Sequence, residues 1–222
     1  MEFIRENIQE VEKRIKTACE RSGRLPHEIT LVAVTKSVDA AAITSAYEYG
    51  IKHFGENRVQ EAEKKIVELA TLRQSVTWHM IGHVQTNKVK SVTRLFDIVQ
   101  SVDSMRLATS LDMQTQDTLP ILVQVNVSGE NTKSGFSVDE VNRAISEMKH
   151  LSHLNIKGLM TIAPWTDNME EVRSVFRTLR ELRDKLGLEH LSMGMTDDYE
   201  IAIEEGATIV RIGRAIFGKR RT

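Results

Sequence analysis

Lys36 closes the apolar run Ile29-Thr-Leu-Val-Ala-Val-Thr35, which reads as a buried strand. An ammonium there is costly to desolvate; burial lowers its pKa, and a neutral amine attacks carbonyl carbon. The alternative is a lysine whose stem packs while its charge reaches water. Arg211 lies inside a second apolar run, Ile209-Val-Arg-Ile212, where a guanidinium demands a partner. Leu191-Ser192-Met-Gly194-Met-Thr196-Asp-Asp198 places two hydroxyls around a glycine, and Gly213-Arg214 follows the Arg211 run. Hydroxyls, bare backbone N–H groups and arginine suit an anion, a phosphate above all. Asp197 and Asp198 would favour a helix start with no ligand at all.

Other polar residues sit where apolar runs end. Asn57 follows His53-Phe-Gly-Glu and suits either a helix N-cap or a ligand contact; the sequence does not separate the two. In Trp78-His79-Met80-Ile81, alternation puts His79 and Ile81 on one face. A strand histidine is commonly a hydrogen-bonded core residue, and His79 is also a candidate ligand contact. Met160 ends Gly158-Leu-Met160 and suits core packing or the cover of a planar ligand. No histidine, cysteine or carboxylate set has metal-ligand spacing, so no metal site is expected.

These positions make sense only if strands bring them together. Short apolar runs at 29–35, 51–55, 76–82, 96–101, 119–127, 154–162, 189–194 and 207–212 alternate with helical patterns. The helical patterns fall near 39–49, 56–71, 86–94, 103–115, 138–150, 168–186 and 197–205. An amphipathic helix over 2–22 precedes them, with Ile4, Ile8, Val11, Ile15 and Ala18 on one face. Eight βα units predict an α/β fold, a (β/α)8 TIM-type barrel with an extra N-terminal helix. An open doubly wound sheet fits less well, because no Gly-x-Gly-x-x-Gly follows the first strand. No linker interrupts the chain, so residues 1–222 are read as a single domain. In such barrels functional groups gather where strands end, and phosphates sit after strands 7 and 8.

Composition narrows the class. Lys plus Arg number 30 against 31 Asp plus Glu, which gives no drive toward nucleic acid or an anionic membrane. One cysteine, Cys19, excludes an internal disulfide and fits a reducing compartment. No apolar stretch is long enough for a bilayer and no signal peptide opens the chain, so a cytoplasmic location is expected. The tail Lys219-Arg220-Arg221 reads as a solvated end.

An amine nucleophile, a phosphate cradle and a buried arginine together call for a ligand with an aldehyde and a phosphate. Pyridoxal 5′-phosphate (PLP) is the simplest, with Lys36 forming the Schiff base and Arg211 at the pyridine nitrogen. The motifs also resemble, over essentially the whole chain, the pyridoxal phosphate homeostasis proteins, the YggS or PROSC family. They include Leu-Val-Ala-Val-Thr-Lys36, His-Phe-Gly-Glu-Asn57-Arg-Val-Gln-Glu61, Lys133-Ser-Gly135, Leu-Ser192-Met-Gly-Met-Thr196-Asp-Asp-Tyr199 and Val210-Arg-Ile-Gly213-Arg-Ala-Ile-Phe-Gly218. That family is similar to the barrel of fold-type III enzymes such as alanine racemase.

The resemblance implies a cofactor site of Lys36, Asn57, His79, Met160, Ser192, Gly194, Thr196, Arg211, Gly213 and Arg214. Ser192, Thr196 and the backbone near Gly213 and Arg214 would hold the phosphate. Thr196 stands where serine is usual, Arg214 where threonine is frequent, and His83 where proline is frequent. The resemblance further implies a carrier of PLP, not an enzyme, with PLP-dependent apo-enzymes as partners. Alanine racemase takes a second base from a tyrosine of a C-terminal β-domain, and this sequence ends soon after strand 8. The alternative is a PLP-dependent amino-acid racemase; a Schiff-base aldolase is a third reading, and it lacks an identifiable acid/base partner for Lys36. An uncovered barrel mouth is compatible with a monomer.

Overall fold

The computed structural model of the protein describes residues 1–130 and 132–218, so the basic tail lies outside the described residues. Eight strands run in chain order: β1 Thr30–Val34, β2 His53–Glu56, β3 Thr77–Met80, β4 Ile98–Val102, β5 Leu119–Gln124, β6 Leu154–Met160, β7 His190–Ser192 and β8 Ile209–Ile212. Each pairs in parallel with the next, and β8 returns to β1, so the barrel is closed. Parallel strands are covered on both faces, which is why the runs read as continuously apolar. One face packs outward against the helices, through residues such as Ala33, Phe54, Trp78, Val99, Leu159 and Val210. Inside lies a separate small cluster, Val32, Leu122, Met160 and Ile209.

The helices follow the strands: α2 Ala40–Glu48, α3 Val59–Glu68, α4 Val89–Leu95, α5 Met105–Gln114, α6 Val141–Met148, α7 Met169–Leu186, α8 Tyr199–Glu204 and α9 Arg214–Phe217. Several start where a side chain satisfies a free N–H. Asp39 accepts from Ala42 N at 2.8 Å, and Asn168 accepts from Glu170 N at 3.1 Å. The N-terminal α1, Glu2–Arg21, buries Ile4, Ile8, Val11, Ile15, Ala18 and Cys19. Each large aliphatic of that stripe contributes roughly 1.5–3 kcal/mol of transfer free energy. Near its start it is tied down where Asn7 donates to the Ile216 carbonyl at 2.9 Å.

The barrel is as the alternation predicts; several bounds differ. The run 119–127 leaves the sheet after Gln124, because Asn126 N bonds the Phe136 carbonyl and turns the chain into a loop. The run 189–194 forms only three strand residues, because Gly194 takes φ +92. The helix expected at 86–94 opens with a 3-10 turn, Thr86–Lys88. The four-residue α9 had no counterpart in the sequence reading.

Candidate ligand site at the barrel mouth

Lys36 lies two residues beyond β1 on the C-terminal rim and is exposed. It is followed by Ser37, whose φ of 61 is left-handed. Thr35, just before it, is fully buried, and its hydroxyl donates to Glu56 Oε1 at 2.6 Å.

Asn57 sits one residue past β2. The N-cap of α3 is Arg58, and no side chain caps that helix, so Asn57 is not serving as the cap. Its Oδ1 is buried with no hydrogen-bond partner. Gly82 makes this corner possible: a Cβ there would lie 2.3 Å from the Asn57 carbonyl oxygen, so any other residue would push the rim apart.

Arg211 is buried within β8, and its guanidinium has two partners. Its NH1 donates to Ser192 Oγ at 2.6 Å and its NH2 to the Thr161 carbonyl at 2.8 Å. Thr161 directly follows β6, so the guanidinium reaches the level of the rim. Burial lowers the Arg211 pKa to about 10, which leaves it a cation.

The bonds continue across the barrel. Ser192 Oγ donates to Gln100 Oε1 at 2.6 Å, and Gln100 Nε2 meets His79 Nδ1 at 2.8 Å. His79 Nε2 in turn meets His53 Nδ1 at 3.1 Å. An amide NH2 can only donate, so His79 Nδ1 accepts and the ring proton sits on Nε2, aimed at His53. Burial, aided by His53, lowers the His79 pKa to about 3, so the ring is neutral. Burial also lowers the pKa of His53.

The Ser192 hydroxyl is fully buried and engaged with Gln100 and Arg211. Both nitrogens of His79 are engaged inside the barrel. Through these bonds both residues support Arg211 from below.

Thr196, Gly194, Gly213 and Arg214 do gather on the loops after β7 and β8. Gly194 is required twice over: its φ is +92, and a Cβ would lie 2.6 Å from the Ala202 Cβ. Its carbonyl accepts from Arg211 N at 3.0 Å, which fastens the β7 loop to β8. Thr196 is half-buried, Gly213 ends β8, and the exposed Arg214 pairs with Asp197. Asp198 caps its own loop, accepting from Met195 N at 2.5 Å. Met160 is fully buried in the inner cluster and forms part of the floor.

Sequence reasoning missed Gln100, Lys65 and Thr161. Gln100 had a signal, since with Ser101 it interrupts the apolar run Ile98-Val-Gln-Ser-Val102. Among the described residues no group of three His, Cys, Asp or Glu could hold a metal, and no helix is long and apolar enough to cross a membrane.

The sequence matches, over residues 4–221, the family described as alanine racemase, N-terminal domain. A Pseudomonas aeruginosa protein named pyridoxal phosphate homeostasis protein is 44% identical, over 99% of this chain and 97% of its own. The Aquifex aeolicus protein of the same name is 42% identical, over 97% of this chain and 98% of its own. The solved structure of PipY from Synechococcus elongatus PCC7942, with PLP bound, is 34% identical with a TM-score of 0.86, covering 97% of this chain and 100% of that one.

Proposed function

The chain belongs to the alanine racemase N-terminal domain family, among the pyridoxal phosphate homeostasis proteins, and from that membership we propose that it binds PLP and buffers or delivers it rather than turning over a substrate. The observation that carries this reading is the buried Arg211 guanidinium, fixed from below and reaching the rim that bears Lys36. The residues present fit the cofactor. The unpartnered Asn57 Oδ1 is an acceptor awaiting a ligand donor, Met160 floors the site, and Thr196, Gly213 and Arg214 offer contacts to a phosphate. PLP supplies an aldehyde and an anionic phosphate on one planar ring.

Lys36 Nζ condenses with the aldehyde as water leaves, and water reverses the linkage; a carrier needs that reversibility. Arg211 donates and cannot accept, so it leaves the ring nitrogen without a proton and weakens the ring as an electron sink. Arg214 would reach a phosphate only by sharing itself with Asp197.

The non-catalytic half of the reading is supported by where the tyrosines lie. Tyr199 is packed under Arg14 of α1, 5.2 Å from the ring centre to the guanidinium carbon, with its hydroxyl buried. Tyr47 stacks on Lys52, before β2, at the opposite end of the barrel from the rim. Tyr49 caps the end of α2 beside Tyr47, so none of the three is a base opposite Lys36. PLP-dependent apo-enzymes as recipients, a monomeric state and a cytoplasmic setting complete the proposal.

Borohydride reduction of PLP-loaded protein followed by peptide mass mapping tests it. Label on Lys36, and none in Lys36→Ala, is expected. Colour and affinity unchanged in Lys36→Ala would overturn the linkage. Lys36-dependent deuterium exchange at Cα of amino acids would overturn the carrier reading in favour of the racemase.

A further inference from the structure

Lys36 is not the only lysine near the turn. Lys65 of α3 is buried beneath it, and three oxygens hold its Nζ: the Thr35 carbonyl at 2.6 Å, Glu56 Oε1 at 2.8 Å and Glu61 Oε1 at 2.6 Å. The same Glu61 oxygen accepts from Ser37 N at 2.5 Å. The Thr35 hydroxyl donates to Glu56 Oε1, and Thr35 N to the Gly55 carbonyl at 2.9 Å. The peptide groups flanking Lys36 on both sides are therefore bound to one ionic cluster. The second of them belongs to Ser37, the one non-glycine residue with positive φ among the described residues. Side chains avoid that region unless their surroundings impose it.

We propose that Glu61, with Glu56 and Lys65, forms a positioning clamp that holds the Thr35–Lys36–Ser37 turn in the shape that presents Lys36 to the cofactor. The inference rests on the reading that Lys36 carries PLP. A buried ion cluster is a poor way to gain stability, since apolar residues of similar volume often do as well. What it supplies here is geometry: an acceptor fixed where a left-handed amide must point. Burial pushes the Glu56 pKa up, against its bonds to Lys65 and Thr35. Burial pushes Glu61 up too, and its bonds to Lys65 and Ser37 outweigh that and hold it below the usual carboxylate range. The clamp also separates the two lysines by role. Lys65 is occupied by three acceptors and cannot serve as the nucleophile, and Lys36 lies on the rim.

The test compares Glu61→Ala, Ser37→Gly and the double variant, with PLP dissociation rate, borohydride labelling of Lys36 and apo-protein melting temperature as readouts. Glu61→Ala is expected to melt lower, because buried Lys65 loses one of its two carboxylates, and to lose PLP about tenfold faster, the effect of one charge-assisted hydrogen bond. Ser37→Gly alone is expected to stay within about twofold, because glycine takes the left-handed shape unaided. The double variant is expected to recover most of the loss, which a merely structural role for Glu61 would not produce. If Glu61→Ala does not fold, Glu61→Asp keeps the charge, draws the oxygen back and decides the matter on the same readouts. Unchanged dissociation in the Glu61 variants, or no rescue by glycine, overturns the clamp. Absence of label on wild-type Lys36 would overturn the PLP linkage itself, a separate failure.

Discussion

Two clusters of charge in this molecule use the same residue types and do different work. On the outside, Arg173 and Arg177 of α7 donate to Glu205 Oε1 at 3.2 and 3.1 Å, and Arg180 to its Oε2 at 2.8 Å. Arg21 of α1 joins them through Glu204 and Glu200, so the cluster laces α1 and α7 to the α8 segment. Its arginines keep between a quarter and a half of their side-chain surface in water. Inside, Arg211 and the Glu56–Lys65 pair are almost wholly buried, and two atoms there, Glu56 Oε2 and Asn57 Oδ1, lack partners. The outer cluster is complete, with Glu205 buried and its arginines kept partly in water, as a device for stability is. The inner one is costly and incomplete, as a binding site is.

That contrast can be broken by substitution. Arg211→Ala carries the largest expected effect: PLP retention falls about a hundredfold and the apo-protein loses about 3 kcal/mol, because Ser192 and the Thr161 carbonyl are left buried without a donor. Calorimetry with PLP titration checks both. Tighter PLP binding in this variant would contradict the proposed contact.

Acid comes next. The folded-state pKa of His79 is depressed to about 3 from the usual 6.5. Its contribution to stability is therefore complete above pH 6.5 and is lost as pH falls toward 3, since the unfolded chain takes up the proton first. His53 shifts in the same direction. Urea midpoints against pH should show this limb, and His79→Gln should flatten it; an unchanged acid limb would argue against the neutral ring.

Glu205→Ala carries the smallest effect on the site. It should cost about 2 kcal/mol of stability, less in high salt, and leave PLP retention unchanged. A change in retention would mean that the two clusters are not independent.

Much of the inner site was legible because its residues interrupt apolar runs. Lys36 and Arg211 stood out against strands, and the eight runs led to the barrel. Gln100 interrupts a run in the same way and was passed over; Lys65 did not stand out. Glu61 and Lys65 are four apart on a helix, a spacing that ordinarily marks a solvated surface pair, and only the fold turns that face inward. Ser192 and Thr196 are alike in the sequence, four residues apart; their different roles come from the turn at Gly194, which sends one hydroxyl into the barrel and leaves the other on the rim.

The bonds from Arg211 through Ser192, Gln100 and His79 to His53 all point one way. Such a row behaves like a line of dominoes. Turning the Gln100 amide over would set Nε2 against Ser192 and leave His79 without its donor, so no single member can reverse alone. A proton arriving at His53, near the far rim, would be felt four side chains away at the guanidinium, as a rearrangement of the entire row or not at all.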